Sequence, residues 1–208
     1  AMGAQIPATG YSRPYLAAMS ASTVLYGFLG LLMAFDLARR YAGDTWAFLA
    51  TLGIWFASSL PVYMYFNPAW SHAHSAFAVS LFLWYWQRTR DHRSLRQWIV
   101  LGMAAGLMMN VYYPNAILMI VPAIEALVEY YRTAPARWAR LLASHLFFLG
   151  MASLALLPTL VTRWIIFGSP FESGYPPMAE WNWTSPVWRS VLFSANHGLL
   201  SWRPVLIT

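Results

Sequence analysis

Arginine is concentrated in every second connection between the long apolar stretches of this chain. The arginine-rich connections are residues 39–45, 87–97 and 132–140, whereas the turns at 67–71 and 110–115 contain no Asp, Glu, Lys or Arg. In helical membrane proteins, the connections on the cytoplasmic side carry an excess of basic residues. The alternation therefore predicts a chain that crosses a bilayer repeatedly, with the arginine-rich connections inside and the charge-free turns outside.

The composition excludes a soluble globular protein. Of the 208 residues 59% are hydrophobic and only 10% are charged, whereas a soluble domain carries about 25% charged residues. The net charge of +6 lies in short connections, where anionic lipids and topology account for it. No nucleic-acid partner is expected, because basic stripes with interleaved exposed aromatic residues are missing. The absence of cysteine excludes disulfides, thiolate metal sites and cysteine nucleophiles.

Six apolar segments have roughly the 17–25 residues that a membrane-spanning helix needs. They are residues 14–38, 46–66, 68–86, 95–111, 114–131 and 141–167. The expected fold is thus all-α, a polytopic transmembrane helical bundle of about six spans.

Local signals refine these boundaries. Asn67 is expected to cap the third span and Pro68 to be its first helical residue. One helix over 95–131 would be about 50 Å long, too long for a hydrocarbon core of ~30 Å, so a hairpin is expected at 110–115. Pro158 is expected to kink the sixth span.

The chain divides into two regions in this interpretation. Residues 1–167 form the transmembrane region, and residues 168–208 form a periplasmic loop, a short interfacial helix near 186–194 and the start of a further span. The chain begins with Ala1 and ends within an apolar run. We therefore expect a fragment of a longer protein.

Two histidines, His72 and His74, stand at the outer end of the third span. Residues two apart do not share a helix face, so a joint metal site is not expected. Either the rings are solvated at the membrane interface, or one points into an outer cavity and hydrogen-bonds a phosphate or a sugar hydroxyl. The hinge residue Asn115 leaves a similar choice, between a helix-end cap and a wall that binds a polar substrate.

Polar residues of the tail complete the set of outward-facing candidates. Glu172 is either a solvated acid or a general base or metal ligand, and residues 194–202 form either a plain turn or a re-entrant segment that lines the outer cavity. The candidate substrate-binding residues are His72, His74, Asn115, Glu172, Tyr175, Arg189, Asn196, His197 and Arg203.

The other charged residues have structural interpretations. Asp36 precedes Arg39 and Arg40 by three and four residues, the spacing of neighbours on a helix. Glu129 can reach Arg132 in the same way. His145 is a lone histidine inside the sixth span, and we expect it to form an interhelical hydrogen bond.

Several short motifs occur in order along nearly the whole chain. They are GYSRPY at 10–15, LARRY at 37–41, NPAWSHAH at 67–74, FLWYW at 82–86, GSP at 168–170 and FSANHGLLSW at 193–202. Together they resemble the bacterial membrane glycosyltransferases of GT-C type, in the protein-mannosyltransferase-like group (glycosyltransferase family 39-like).

The resemblance implies a multi-pass enzyme of the bacterial inner membrane that takes a sugar from a polyprenyl-phosphate-linked donor. It implies an inverting transfer at the periplasmic face to a glycan, lipid or protein acceptor, with an acid of the first outer loop as general base. That loop would lie upstream of Ala1, so no catalytic residue is assigned and the isolated chain is expected to be inactive. A phosphate-holding role falls to His72, His74, Arg189, His197 and Arg203.

The sequence departs from this family at the hinge, where relatives often carry an arginine and this chain reads NVYYPN at 110–115. The alternatives are a transporter or flippase subunit for lipid-linked glycans, or a membrane acyltransferase or polymerase. The sugar, the acceptor and dependence on a divalent metal stay open. A transporter would place ionisable groups near the bilayer midplane, where only His145 is a candidate.

Overall fold

The computed structural model describes residues 10–172, 187–195 and 198–202, and within these ranges every regular element is helical. The α-helices are α1 (Arg13–Ala57), α2 (His72–Arg88), α3 (Leu95–Val111), α4 (Ile120–Arg132), α5 (Trp138–Phe167), α6 (Trp188–Phe193) and α7 (Leu199–Trp202). A π-helical turn (Val62–Phe66) precedes α2, and 3₁₀ segments (Tyr113–Met119 and Pro135–Arg137) precede α4 and α5. The predicted all-α class is confirmed.

Helix α1 is broken into two arms at Gly43, whose backbone angles (φ 72°, ψ 166°) are not helical. This region of backbone space is essentially restricted to glycine. The rings of Phe28 and Trp55 lie 5.0 Å apart, so the arms fold back on one another. The hairpin turns inside the predicted arginine-rich connection 39–45, which confirms the separation of the first two segments.

The turn before α2 differs from the sequence prediction. Asn67 donates its backbone N–H to Val62 at 2.9 Å and so closes the π-helical turn. The carbonyl of Pro68 accepts the hydroxyl of Thr23 in the first arm at 3.0 Å. Helix α2 therefore begins only at His72, and the prediction that Asn67 and Pro68 start the helix was wrong.

The core lies where α3 crosses α5. Gly102 and Gly106 lie one turn apart on α3, and a Cβ atom at either would overlap a carbonyl oxygen of α5, that of Phe148 or Ala152. Small residues at this spacing let helix backbones approach closely in membranes. The buried side chains around this contact are Ala78, Phe82, Trp98, Leu101, Ala104, Ala105, Met108, Phe148 and Ala152.

The predicted hairpin between α3 and α4 is confirmed. Helix α3 ends at Val111, and the 3₁₀ segment Tyr113–Met119 leads into α4. Helix α5 continues through Pro158 from Trp138 to Phe167 without a break. A short helix was predicted near 186–194, and α6 confirms it, whereas its place at a membrane interface stays a prediction.

The connections sort to two opposite ends of the helices, about 25 Å apart along the 17 residues of α2. The arginine end carries residues 39–45, 87–97 and 132–140. The aromatic end carries residues 67–71 and 110–115.

At the arginine end, two tryptophans of α2 hold carboxylates from its neighbours. Asp36 of the first arm accepts the indole N–H of Trp84 at 2.7 Å and pairs with Arg39 at 3.0 Å, as the sequence predicted. Glu125 of α4 accepts the indole N–H of Trp86 at 2.7 Å. These bonds bring the arginine-rich connections together, as the alternation of arginine predicted.

Candidate substrate site at the aromatic end

Four aromatic side chains from three segments meet at the aromatic end. The ring of His72 lies 4.2 Å from that of Tyr63, 5.7 Å from that of Trp70 and 5.6 Å from that of Tyr112. Tyr63 and Trp70 are themselves stacked, with ring centroids 5.9 Å apart. We call these four residues the aromatic cluster.

Local backbone structure positions each member of the cluster. The N–H of Trp70 bonds the carbonyl of Asn67 at 3.2 Å, which closes a turn and brings the indole back towards Tyr63. His72 is the first residue of α2, so its ring stands at the mouth of the bundle. Tyr112 directly follows α3 in an extended conformation (φ −156°, ψ 107°). The three segments meet because α2 and α3 are antiparallel.

A cavity of about 420 Å³ lies against this cluster, lined by Ala69, Trp70, Ser71, His72 and Tyr112. An imidazole, a phenol and an indole can each donate a hydrogen bond. Their flat faces also offer apolar contact to a sugar ring. The arrangement suits a ligand that carries both hydroxyl or phosphate oxygens and an apolar face.

His74 takes a different direction from His72. Its ring lies 5.4 Å from that of Tyr26 in the first arm of α1, and it does not line the cavity. The i, i+2 spacing separates the two rings as the sequence predicted, and no group of three or more potential metal ligands occurs among the described residues.

Asn115 uses its carboxamide inside the protein. Its nitrogen donates to the hydroxyl of Ser75 at 2.9 Å and to the carbonyl of Met108 at 3.0 Å. It thereby fixes the hinge to α2 and α3. Asn110 of the same hinge accepts the hydroxyl of Thr159 in α5. A substrate role for Asn115 stays a prediction.

Arg163 is the candidate that the sequence interpretation missed. It lies one turn before the end of α5, and its guanidinium stands over the ring of Tyr113 at 5.7 Å. Tyr113 in turn lies 6.2 Å from Tyr112 of the cluster. Residues 110–115 contain no arginine, but Arg163 of α5 contacts this hinge through Tyr113. An arginine near the outer end of an apolar helix was the available signal.

The tail candidates are only partly placed. Glu172 is exposed just beyond α5, and the guanidinium of Arg189 lies over its neighbour Trp188 at 5.2 Å. Neither lines the cavity. The remaining predicted residues, Tyr175, Asn196, His197 and Arg203, lie outside the described residues.

Comparison with known protein families decides the class of the chain. The sequence profile of the dolichyl-phosphate-mannose-protein mannosyltransferase family matches residues 16–164, which is more than half of the chain. The chain belongs to this family. The predicted resemblance to GT-C type glycosyltransferases is thereby confirmed. Comparisons with curated proteins and with solved structures returned no match.

The mannosyltransferase match contains the whole aromatic cluster and also Arg163. It ends before Glu172 and Arg189. Two helical stretches of the described chain, Arg13–Ala57 and Pro135–Phe167, are long and apolar enough to cross a membrane, and Leu95–Val111 is a shorter apolar helix. This agrees with a membrane-integral glycosyltransferase family.

Proposed function

We propose that the aromatic end binds the donor in a membrane glycosyltransferase that takes a sugar from a polyprenyl-phosphate-linked carrier. The acceptor would be a lipid, glycan or protein hydroxyl. The observation that carries this proposal is the cavity at His72 and Tyr112, in a region that the mannosyltransferase profile covers. Arg163 does not line this cavity and is connected to it through Tyr113, whose ring neighbours that of Tyr112.

The chemistry of sugar transfer asks for groups of this kind. The acceptor oxygen attacks the anomeric carbon, the bond from that carbon to the phosphate oxygen breaks, and the carrier phosphate leaves with the electron pair. Hydrogen-bond donors and cations aimed at the leaving oxygen stabilise the charge that develops there. His72 and Arg163 would hold the phosphate, while Trp70 and Tyr112 would contact the sugar.

The acceptor must also lose its proton to a base. The family resemblance implies that this base is an acid of an outer loop. Among the described residues, the one carboxylate at this end is that of Glu172, and it does not line the cavity. The proposal therefore assigns donor binding to the aromatic end and names no residue as the base.

The proposed topology has about six spans in the bacterial inner membrane, with the aromatic end facing the periplasm. The clustering of arginine-rich connections at the opposite end supports this orientation. A lipid carrier would enter from the bilayer, alongside the apolar helices.

The position of His145 does not support the alternative that the protein is a transporter. Its ring nitrogen lies 3.2 Å from the hydroxyl of Tyr130, and the ring contacts Trp98 at 4.9 Å. The bond to Tyr130 joins α5 to α4, as predicted for an interhelical hydrogen bond. An ionisable group engaged in this way has a structural explanation.

Steady-state sugar transfer by the full-length protein tests the proposal. We expect His72→Ala and Arg163→Ala each to lower kcat/KM for the polyprenyl-phosphate sugar by about 100-fold, because each removes a donor to the leaving phosphate. Arg40→Ala is the matched control, since Arg40 is exposed at the arginine end. Unchanged transfer by both site variants would contradict the proposed phosphate-binding role.

A further inference from the structure

A second cavity, about twice as large as the first, lies at the arginine end. Its volume is about 840 Å³. Two connections form it, 87–97 between α2 and α3 and 132–140 between α4 and α5. Four arginines line it, together with the carboxylates of Asp91 and Glu129; they are Arg90, Arg93, Arg137 and Arg140.

Arg93 lines this cavity, and contacts within the protein hold its side chain in place. Its side chain is 3% exposed and pairs with Glu125 at 2.7 Å. It also donates to the hydroxyl of Thr89 at 3.1 Å and to the carbonyl of Trp86 at 3.0 Å. Because its donors are engaged, Arg93 fixes the α2–α3 connection to α4 and is not a group that a ligand would recruit.

The other three arginines keep their donors for a ligand. Within the described part of the chain, no carboxylate lies within 4.0 Å of Arg90, Arg137 or Arg140. The guanidinium of Arg90 rests over the ring of Trp86 at 5.4 Å, a contact that leaves its N–H groups at the edge free. Asp91 and Glu129 reduce the positive field but do not neutralise any of the three arginines by direct pairing.

Part of the lining of the cavity is apolar. Leu95, Trp98, Leu141 and Phe147 contribute to it. Phe147 is 45% exposed and continues into the exposed apolar face of α5, where Leu146 is 59% exposed. A ligand in this cavity thus meets both guanidinium groups and apolar side chains, and the apolar part of the lining continues into the exposed face of α5.

We propose that the arginine-end cavity binds the phosphate headgroup of an anionic membrane lipid. The planar fork of arginine matches phosphate oxygens, and basic pockets between membrane helices on the cytoplasmic side suit acidic headgroups. The lipid tail would follow the apolar face of α5, which a free phosphate ion could not use. This site is separate from the proposed donor site, which lies at the other end of the helices.

Binding of short-chain phosphatidylglycerol to the purified chain in a zwitterionic detergent tests this proposal. We expect Arg137→Gln combined with Arg140→Gln to weaken binding about thirtyfold, at about fivefold for each arginine near a membrane surface. The matched control is Arg40→Gln with Arg96→Gln, which removes the same charge from exposed arginines outside the cavity. The control should bind as the unmodified chain does.

Two further measurements distinguish a lipid headgroup from free phosphate as the ligand, and the arginine-end cavity from the proposed donor site. Inorganic phosphate at millimolar concentration should not displace the lipid, and His72→Gln should leave lipid binding unchanged. Equal weakening by both double variants would show a general charge effect and overturn the site. Displacement by inorganic phosphate would overturn the lipid as its ligand.

Discussion

The guanidinium of Arg93 and the carboxylate of Glu125 form an ion pair of 2.7 Å whose side chains are only 3% and 15% exposed. The pair joins the α2–α3 connection to α4, and Trp86 donates to the same carboxylate oxygen. A buried pair of this kind adds little net free energy compared with apolar residues, but loss of one partner leaves an uncompensated charge.

Removal of one partner should therefore be strongly destabilising. We expect Arg93→Gln or Glu125→Gln to lower the free energy of unfolding by about 3–5 kcal/mol, measured as thermal unfolding in detergent. Glu129→Gln is the control, since Glu129 has no ion pair within 4.0 Å in the described chain. Equal melting temperatures for Glu125→Gln and Glu129→Gln would contradict the importance of the pair.

The crossing of α3 and α5 gives a second prediction. Gly102→Ala should destabilise the fold by about 1–3 kcal/mol, because its Cβ would meet the carbonyl of Phe148 and force the helices apart. Gly150→Ala on α5 is the matched control, because nothing lies within 4 Å of its Cβ position. There the better helix propensity of alanine should leave stability equal or slightly higher. The opposite order of the two melting temperatures would show that the helices do not cross at Gly102.

Variants that remove the hydrogen bond between Asn115 and Ser75 test whether Asn115 has a structural role or binds the substrate. Both Asn115→Ala and Ser75→Ala remove this bond, and we expect Asn115→Ala to lower stability more, because Asn115 also bonds Met108. If the role is structural, each variant should lose sugar transfer only in proportion to its loss of folded protein. A large loss of kcat in fully folded Asn115→Ala alone would restore Asn115 as a substrate-binding residue.

The absence of cysteine makes the orientation of the two ends directly measurable. Ala69 and Ala134 are both exposed, one at the aromatic end and one at the arginine end. In intact spheroplasts, a membrane-impermeant maleimide should label Ala69→Cys but should label Ala134→Cys only after permeabilisation. The reverse pattern would place the candidate donor site in the cytoplasm.

The helical arrangement was largely predictable because it depends on patterns close in sequence. The lengths of the apolar segments indicated the helices, and the alternation of arginine indicated the two ends of the bundle. The spacing of Asp36 and Arg39 indicated the ion pair between them. The start of α2 was mispredicted because Thr23, 45 residues away, binds the carbonyl of Pro68. A local capping signal cannot anticipate such a tertiary bond.

The candidate site was less predictable than the fold. His72 was singled out, but sequence spacing could not show that Tyr63 and Tyr112 would surround it, because they come from separate segments. Arg163 was missed for the same reason, since it reaches the hinge from another helix. The pairing of Arg93 with Glu125 spans 32 residues and has no local signal.

Equilibrium binding of a radiolabelled polyprenyl phosphate to the purified chain tests the central claim most directly, because it measures phosphate binding separately from the proton transfer and the chemical step. We expect His72→Ala with Arg163→Ala to weaken binding by at least about tenfold, since hydrogen bonds to charged groups contribute about 1.5–3 kcal/mol each. Arg40→Ala should bind normally. Equal affinity for the double variant and the unmodified chain would contradict a phosphate site at the aromatic end.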